Sequence, residues 1–154
     1  MSLPPAHVLL DARPRGLDGD ELRLWARNYA GAAGAAHVSR SYSFPYALVS
    51  WHSDRVGVDI EAVAACDEAF GRSICTPAEA ARAPWSSDEE IVCLWSGKEA
   101  LAKALGDAVR YDPRRLASPA GWSGEASGPW RARVVAVPDG YCGWICWRDP
   151  HSPR

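Results

Sequence analysis

Two short segments of the chain contain closely spaced acidic and basic side chains that could form a reactive site. The first, residues 57–61, reads Gly-Val-Asp-Ile-Glu and places two carboxylates, Asp59 and Glu61, at positions i and i+2 of an apolar strand pattern. Residues spaced in this way point to the same face of a strand, whereas Val58 and Ile60 point to the opposite face and into the core. The segment therefore predicts two neighbouring carboxylates on one face of a sheet.

The second segment, residues 95–103, reads Trp-Ser-Gly-Lys-Glu-Ala-Leu-Ala-Lys and follows a helical pattern. Glu99 and Lys103 are four residues apart and share one face of the predicted helix. Lys98 falls within the apolar stripe of the same helix, so its ammonium group must either extend to solvent or meet an anion. The segment predicts a carboxylate and two lysines close to one site.

A divalent cation would explain why three carboxylates come together. If Asp59, Glu61 and Glu99 converge, two unit charges about 4 Å apart repel by about 4 kcal/mol at an effective dielectric constant of about 20. All-oxygen ligands suit Mg²⁺, with Mn²⁺ as the alternative, and the lysines would complete a phosphate site. Taken singly, each segment is also compatible with a solvated strand end or an ordinary surface ion pair.

The elements that position these side chains follow from periodicity. In the first part of the chain, apolar runs predict a strand at 7–10 and an antiparallel hairpin with strands at 46–51 and 56–60. Apolar residues at helical spacing predict a helix over 18–30. We therefore expect the first carboxylate segment to lie on the second strand of a hairpin.

Capping signals and turn residues predict the second part. A capping-box pattern predicts a short helix from Thr76, and a second one predicts a longer helix from Ser86 to Gly106. A Pro/Gly/Ser-rich linker at 112–129 precedes a second hairpin with strands at 133–137 and 141–147. The order of strands, helices and hairpins predicts an α+β fold with antiparallel sheets.

Composition narrows the classes of function. A chain of 154 residues with 47% hydrophobic residues can build its own core. A net charge of −2 without a basic block argues against nucleic acid as a partner. No apolar run approaches the ~20 residues of a membrane-spanning helix, and residues 1–5 lack the features of a signal peptide. The five cysteines contain no Cys-x-x-Cys pair, so we expect neither a disulfide framework nor a thiolate zinc site. This cysteine usage is typical of a protein in a reducing cytoplasm.

The two segments together resemble the paired signature of the 4′-phosphopantetheinyl transferases, G-[IV]-D-[IV]-E followed by [FW]-[ST]-x-K-E-A-x-x-K. Residues 57–61 and 95–103 fill nearly every position of it, and residues 74–79 resemble the family's intervening segment. The resemblance covers residues 37–148. Because Glu61 follows the aspartate, the chain is similar to the surfactin-synthetase-type branch rather than to the short trimeric holo-acyl-carrier-protein synthases.

This family moves the phosphopantetheine arm of coenzyme A to a serine of an apo acyl or peptidyl carrier protein and releases 3′,5′-adenosine bisphosphate. The resemblance implies an α+β fold of two pseudo-repeated halves, each with a small antiparallel sheet and a packed helix, in a monomer. It implies a shortened N-terminal half at 1–56 and a C-terminal half with the site at 57–148. Residues 149–154, which follow the last predicted strand, are expected to be a frayed tail.

The resemblance also implies roles for individual residues. Asp59, Glu61 and Glu99 would hold Mg²⁺ against the pyrophosphate of coenzyme A. Glu99 would in addition act as general base toward the carrier serine. Lys103 would neutralise charge on the leaving phosphate, and Lys98 would assist in phosphate binding.

A further implied contact departs from the family pattern. The branch carries a Ser-His-Ser motif whose histidine contacts the 3′-phosphate, and here the segment reads Ser39-Arg40-Ser41. An arginine can bind a phosphate through its fork, so Arg40, with Ser39, is the expected 3′-phosphate contact; the alternative is a surface arginine. Two other functions stay open: a catalytically weak relative that binds carrier protein or coenzyme A, and a metal-dependent enzyme for another nucleotide-containing substrate.

Overall fold

The computed structural model describes residues 3–152, which form two antiparallel sheets with helices packed against them. The strands are Ala6–Asp11 (β1), His37–Ser43 (β2), Tyr46–His52 (β3), Val56–Ala62 (β4), Ala126–Ser127 (β5), Trp130–Val134 (β6) and Tyr141–Arg148 (β7). The helices are Gly19–Arg27 (α1), Glu68–Ile74 (α2), Pro77–Ala80 (α3) and Asp88–Leu105 (α4). The predicted α+β class is confirmed. Within the described residues, no helix is both long and apolar enough to cross a membrane.

The two sheets share the order of their three main strands, and the second half adds α2, α3 and β5. The first half runs strand, helix, strand, strand and orders its sheet β1-β3-β2; the second half orders its sheet β4-β7-β6, with β5 added at the edge. In both halves the helix packs on the first and third strands, α1 in the first sheet and α4 in the second. This repeated connectivity agrees with the expected two-half fold.

The predicted hairpin between residues 46–51 and 56–60 is wrong. Both strands exist, but β3 pairs with β1 and β2, and β4 pairs with β7 of the other sheet. Because β3 is the central strand, neither of its edges is left for β4. The sequence analysis missed β2, since its alternation of polar residues with few apolar ones gives no strand signal.

Two serines of β2 connect the sheets. The Oγ atoms of Ser39 and Ser41 accept hydrogen bonds from the backbone N–H groups of Val58 and Ile60, both at 3.0 Å. Serine hydroxyls therefore take the place that backbone carbonyls hold within a sheet. Apolar residues of β3, β4 and β7 pack in one cluster behind this junction, so the two sheets share a core.

Helix α4 lies directly on β4. It begins after Ser87, whose side chain accepts a hydrogen bond from Glu90 N, and ends at Gly106 with φ of +83°. The predicted end at Gly106 is confirmed, and the N-cap lies one residue after the predicted Ser86. A Cβ atom at Gly57 would overlap the carbonyl oxygen of Ala100. Only glycine allows this approach, which brings the second half of α4 against the strand that carries the two carboxylates.

Two further predictions need correction. Cys93 of α4 and Cys142 of β7 form a disulfide with a Cα–Cα distance of 5.5 Å. Cysteine spacing predicted no such pair, because the two cysteines are 49 residues apart and only the fold brings them together. The predicted tail at 149–154 is ordered at its start: Asp149 is buried and forms an ion pair with Arg131. The predictions for residues 1–2 and 153–154 lie outside the described residues.

Candidate active site

The carboxylates of β4 face α4, as the strand pattern predicts. Asp59 is only 3% exposed, and Glu61 is half-buried beside it. Val58 and Ile60 point to the opposite face and belong to the shared core. Burial, together with the negative charges of Asp59 and Glu99, raises the pKa of the Glu61 carboxyl to about 8. Two carboxylates thus lie where neither is well solvated.

Asp59 is the centre of the cluster. Its Oδ1 atom accepts hydrogen bonds from Ser41 Oγ and Lys103 Nζ, each at 3.3 Å. Its Oδ2 atom is buried without a hydrogen-bond partner. The Glu61 carboxyl is close enough to form a hydrogen bond with Asp59 when Glu61 is protonated. A buried carboxylate oxygen without a donor is rare in folded proteins, because its desolvation is uncompensated. This oxygen is available to a cation.

Lys103 extends from α4 to the junction of the two sheets. Its ammonium group donates to Val58 O at 2.9 Å, to Asp59 Oδ1 and, at 3.4 Å, to Arg40 O. Lys103 and Glu99 were predicted to share one face of α4. The ion pair that Lys103 forms is with Asp59 of β4. With 24% of its side chain exposed, Lys103 lines two surface clefts, which also contain the basic residues Arg110 and Arg55.

Glu99 is held by a residue that the sequence analysis missed. The hydroxyl of Tyr111 donates to Glu99 Oε1 at 2.5 Å. Burial raises the pKa of the Glu99 carboxyl, and the charge of Asp59 adds to this, while the Tyr111 bond acts in the opposite direction. Burial and the bond to Glu99 also raise the pKa of Tyr111. Tyr111 follows α4 at no characteristic spacing, so no sequence signal pointed to it.

The cluster has the oxygen ligands that a hard divalent cation needs. Asp59, Glu61 and Glu99 interact electrostatically with one another, and Asp59 offers a buried oxygen without a donor. Oxygen ligands of this kind suit Mg²⁺ or Mn²⁺. Their ligand atoms are not all within 4.8 Å of one another; among the described residues, that spacing occurs in a different set, Glu89, Cys93 and Cys142.

Lys98 does not join this cluster. It is completely buried, and its ammonium group donates to Ile74 O at 2.6 Å, to Pro113 O at 2.8 Å and to the carboxylate of Glu79. A lysine in the apolar stripe was expected either to extend to solvent or to meet an anion; it meets an anion, Glu79. Because all three N–H bonds are used inside the protein, the structure leaves Lys98 none for a phosphate.

Glu79 is itself fully hydrogen-bonded. It completes the capping box of α3 with Thr76 and accepts a bond from Ser118 N at 2.8 Å. Although burial raises the pKa of the Glu79 carboxyl, the hydrogen bonds from Lys98, Ser118 and Thr76 outweigh it and lower that pKa below its usual value. The sequence analysis recognised Glu79 as a capping residue and missed its ion pair.

Ser39 and Arg40 lie on opposite faces of β2. Ser39 faces β4, where its hydroxyl receives the Val58 N–H group. The guanidinium group of Arg40 points to the end of α1 and donates to Ala26 O at 3.1 Å and to Arg27 O at 3.2 Å. A cation there interacts favourably with the helix dipole. The structure thus brings Ser41, rather than Arg40, to the carboxylates.

Comparison with known proteins identifies the family. A family model described as the 4′-phosphopantetheinyl transferase superfamily matches residues 55–131, half of the chain. The matched range contains Asp59, Glu61, Glu99 and Lys103. A search of curated proteins found no match. Because this family model matches half of its length, the chain belongs to the 4′-phosphopantetheinyl transferase superfamily.

Proposed function

We propose that the protein transfers the 4′-phosphopantetheine arm of coenzyme A to a serine of an apo acyl or peptidyl carrier protein. The superfamily implies transferase activity of this kind. The observation that supports the proposal best is the buried Asp59 carboxylate, with one oxygen lacking a partner, beside Glu61, Glu99 and Lys103. We further propose that the protein is a cytoplasmic monomer of the surfactin-synthetase-type branch.

The proposed reaction breaks one phosphoanhydride bond. The serine oxygen of the carrier attacks the phosphorus that bears the pantetheine arm, the bond from that phosphorus to the bridging oxygen breaks, and 3′,5′-adenosine bisphosphate leaves. Phosphoryl transfer depends mainly on positioning and charge stabilisation. When bound by Asp59, Glu61 and Glu99, Mg²⁺ or Mn²⁺ would supply positive charge at the pyrophosphate.

Glu99 would take the serine proton. Its carboxyl has a raised pKa, which makes it a stronger base than an ordinary glutamate. The Tyr111 hydroxyl, bonded to Oε1, fixes the orientation of this carboxylate and leaves Oε2 for the proton. Lys103 is partly open to solvent and can exchange its longest bond, to Arg40 O, for an oxygen of the leaving phosphate.

The 3′-phosphate contact at Arg40 and Ser39 stays a prediction. It requires Arg40 to release two carbonyls at the end of α1. Arg40→Ala is expected to weaken binding of coenzyme A more than binding of 3′-dephospho-coenzyme A, measured by calorimetry. Equal losses for both ligands would assign Arg40 to the stability of α1 alone. For Lys98 we propose a positioning role, because its bonds hold α4 against residues 74–79 and 113.

A catalytically weak protein that binds carrier protein or coenzyme A is the second candidate. It is favoured by the bond between Glu99 and Tyr111 and by the spacing of the three carboxylates, whose oxygen atoms are not all within 4.8 Å of one another. A third, an enzyme for another nucleotide, predicts that ATP or ADP raises the melting temperature with Mg²⁺ as much as coenzyme A does.

The test is intact mass spectrometry of apo carrier proteins incubated with the protein, coenzyme A and Mg²⁺. We expect a mass gain of one phosphopantetheine, absent when a chelator is added. The carriers should include both acyl and peptidyl types. No gain on any of them, with coenzyme A still bound, would establish the second candidate in place of the first.

A further inference from the structure

A second cluster of metal-binding side chains lies outside the carboxylate site. Glu89, Cys93 and Cys142 each offer a ligand atom, and these atoms all lie within 4.8 Å of one another. The two cysteines form a disulfide in the structure. The proposed transferase function uses none of the three.

The cluster joins helix α4 to strand β7. Glu89 and Cys93 are four residues apart and share one face of α4, while Cys142 is the second residue of β7. Glu89 is exposed, Cys93 is half-buried and Cys142 is 3% exposed. The cluster is therefore open to solvent on the helix side and closed on the strand side, so that an ion can enter and be partly desolvated.

We propose that the reduced form of this cluster is a binding site for a thiophilic divalent cation, Zn²⁺, with Glu89, Cys93 and Cys142 as ligands. Two thiolates on one tetrahedral Zn²⁺, at Zn–S distances of about 2.3 Å, are about 3.8 Å apart. The ligand atoms of Glu89, Cys93 and Cys142 all lie within 4.8 Å of one another, close enough for the three to reach this spacing once the disulfide is reduced. Three protein ligands and one water complete four-coordination.

The disulfide and the metal site exclude each other. A dithiol reductant transfers two electrons and two protons to the disulfide; the S–S bond breaks, two thiols form, and the reductant becomes a cyclic disulfide. Binding of Zn²⁺ then releases the two thiol protons. Cysteine spacing predicted no thiolate zinc site, because these ligands come from two elements that only the fold brings together.

The position of the cluster connects it with the candidate active site. Cys142 is the cross-strand partner of Glu61, and Cys93 lies on the helix that carries Glu99. A disulfide or a bound Zn²⁺ holds α4 to β7 at this point, and two free thiols do not. The site is independent of the proposed transferase function, because its ligands are different residues.

Cobalt(II) is the probe for the test. The whole protein is reduced with a water-soluble phosphine, desalted without oxygen and titrated with Co²⁺. We expect a sulfur-to-cobalt charge-transfer band in the reduced protein, no band in the oxidised protein, and loss of the band when Zn²⁺ displaces Co²⁺. Co²⁺ at the Asp59 carboxylates gives no such band, so the result does not depend on the transferase proposal.

Variants identify the ligands. Cys93→Ser and Cys142→Ser should each remove the band, while Cys66→Ser, at a free cysteine outside the cluster, should retain it. Circular dichroism checks that each variant is folded. Because Cys93 is half-buried and Cys142 is buried, Cys93→Ser should disturb core packing less than Cys142→Ser. Glu89→Gln should lower Co²⁺ affinity by more than about tenfold. The proposal is overturned by a reduced protein without the band, by a band that survives both cysteine substitutions, or by unchanged affinity in Glu89→Gln.

Discussion

Lys98 and Lys103, five residues apart on α4, each form an ion pair with a carboxylate on another element. The two pairs differ in how completely they are hydrogen-bonded. In the first pair, Lys98 and Glu79 use every donor of the ammonium group and both oxygens of the carboxylate within the protein. In the second, Lys103 contacts one oxygen of Asp59 and the other oxygen has no donor. Both carboxylates are buried.

The difference separates a structural pair from a candidate binding site. A buried polar network with every group satisfied makes a fold rigid and specific, whereas a partly satisfied one is costly unless something else completes it. Glu79 and Lys98 join α3, α4 and the segments before and after them. Asp59 lies beside two other carboxyls and lacks a partner, so a cation would complete its coordination.

The largest expected effect is that of Asp59→Asn on catalysis. Removal of this ligand should lower metal-dependent transfer by about 10³-fold or more, while the free energy of unfolding of the metal-free protein stays equal or rises, because repulsion from Glu61 is relieved. Mass spectrometry and urea denaturation measure the two quantities. Glu68→Gln, at an exposed carboxylate of α2 that pairs with Arg72, is the control. Wild-type rates in Asp59→Asn would exclude the metal assignment.

The matching change in the other pair should act on stability. Lys98→Met leaves Glu79 buried without its cation, so the free energy of unfolding should fall by about 3–5 kcal/mol. Lys98→Met combined with Glu79→Leu should recover only part of this loss, because Thr76 and Ser118 lose the carboxylate as well. Urea denaturation measures both. A loss below about 1 kcal/mol would show that the pair is not structural.

The two serines of β2 give a smaller, paired test. Each accepts one backbone hydrogen bond from β4, so Ser39→Ala and Ser41→Ala should both lower the free energy of unfolding by about 1 kcal/mol. Only Ser41 also donates to Asp59. Ser41→Ala alone should therefore weaken Mn²⁺ binding, by about tenfold, measured by calorimetry. Equal metal affinity in both variants would contradict a positioning role for Ser41.

The smallest effect is a difference in pH dependence. The pKa of Glu79 is lowered on folding, so its stabilisation is present above the ordinary pKa of 4.5 and is lost as pH falls below that value. The pKa of Glu61 is raised from 4.5 to about 8, so stability contributed by its protonated form is lost as pH rises through this range.

Thermal unfolding at a series of pH values measures both branches. Between pH 4.5 and 8 the melting temperature of the metal-free protein should fall, Glu61→Gln should flatten this fall, and Mg²⁺ should raise the melting temperature more at pH 8 than at pH 6. A Glu61→Gln profile identical to that of the wild type would contradict the raised pKa.

Relations between residues close together in the chain were predictable from the sequence. Alternation placed Asp59 and Glu61 together on one face of β4, and capping residues predicted the end of α4 at Gly106 and its start within one residue of Ser87. The spacing of Glu99 and Lys103 gave their common helical face. These features persist because backbone geometry fixes the relation between residues two, three or four positions apart.

Contacts between groups far apart in the chain were not predictable from the sequence and follow from the fold. It placed β3 and β4 in different sheets, paired Lys98 with Glu79, gave Glu99 the partner Tyr111, and joined Cys93 to Cys142. Periodicity states which face of an element is buried and does not state what covers it, so partners far apart in sequence cannot be derived from it. The residue types indicated the chemistry of the candidate site, and the packing of the fold determined which of these residues are in contact.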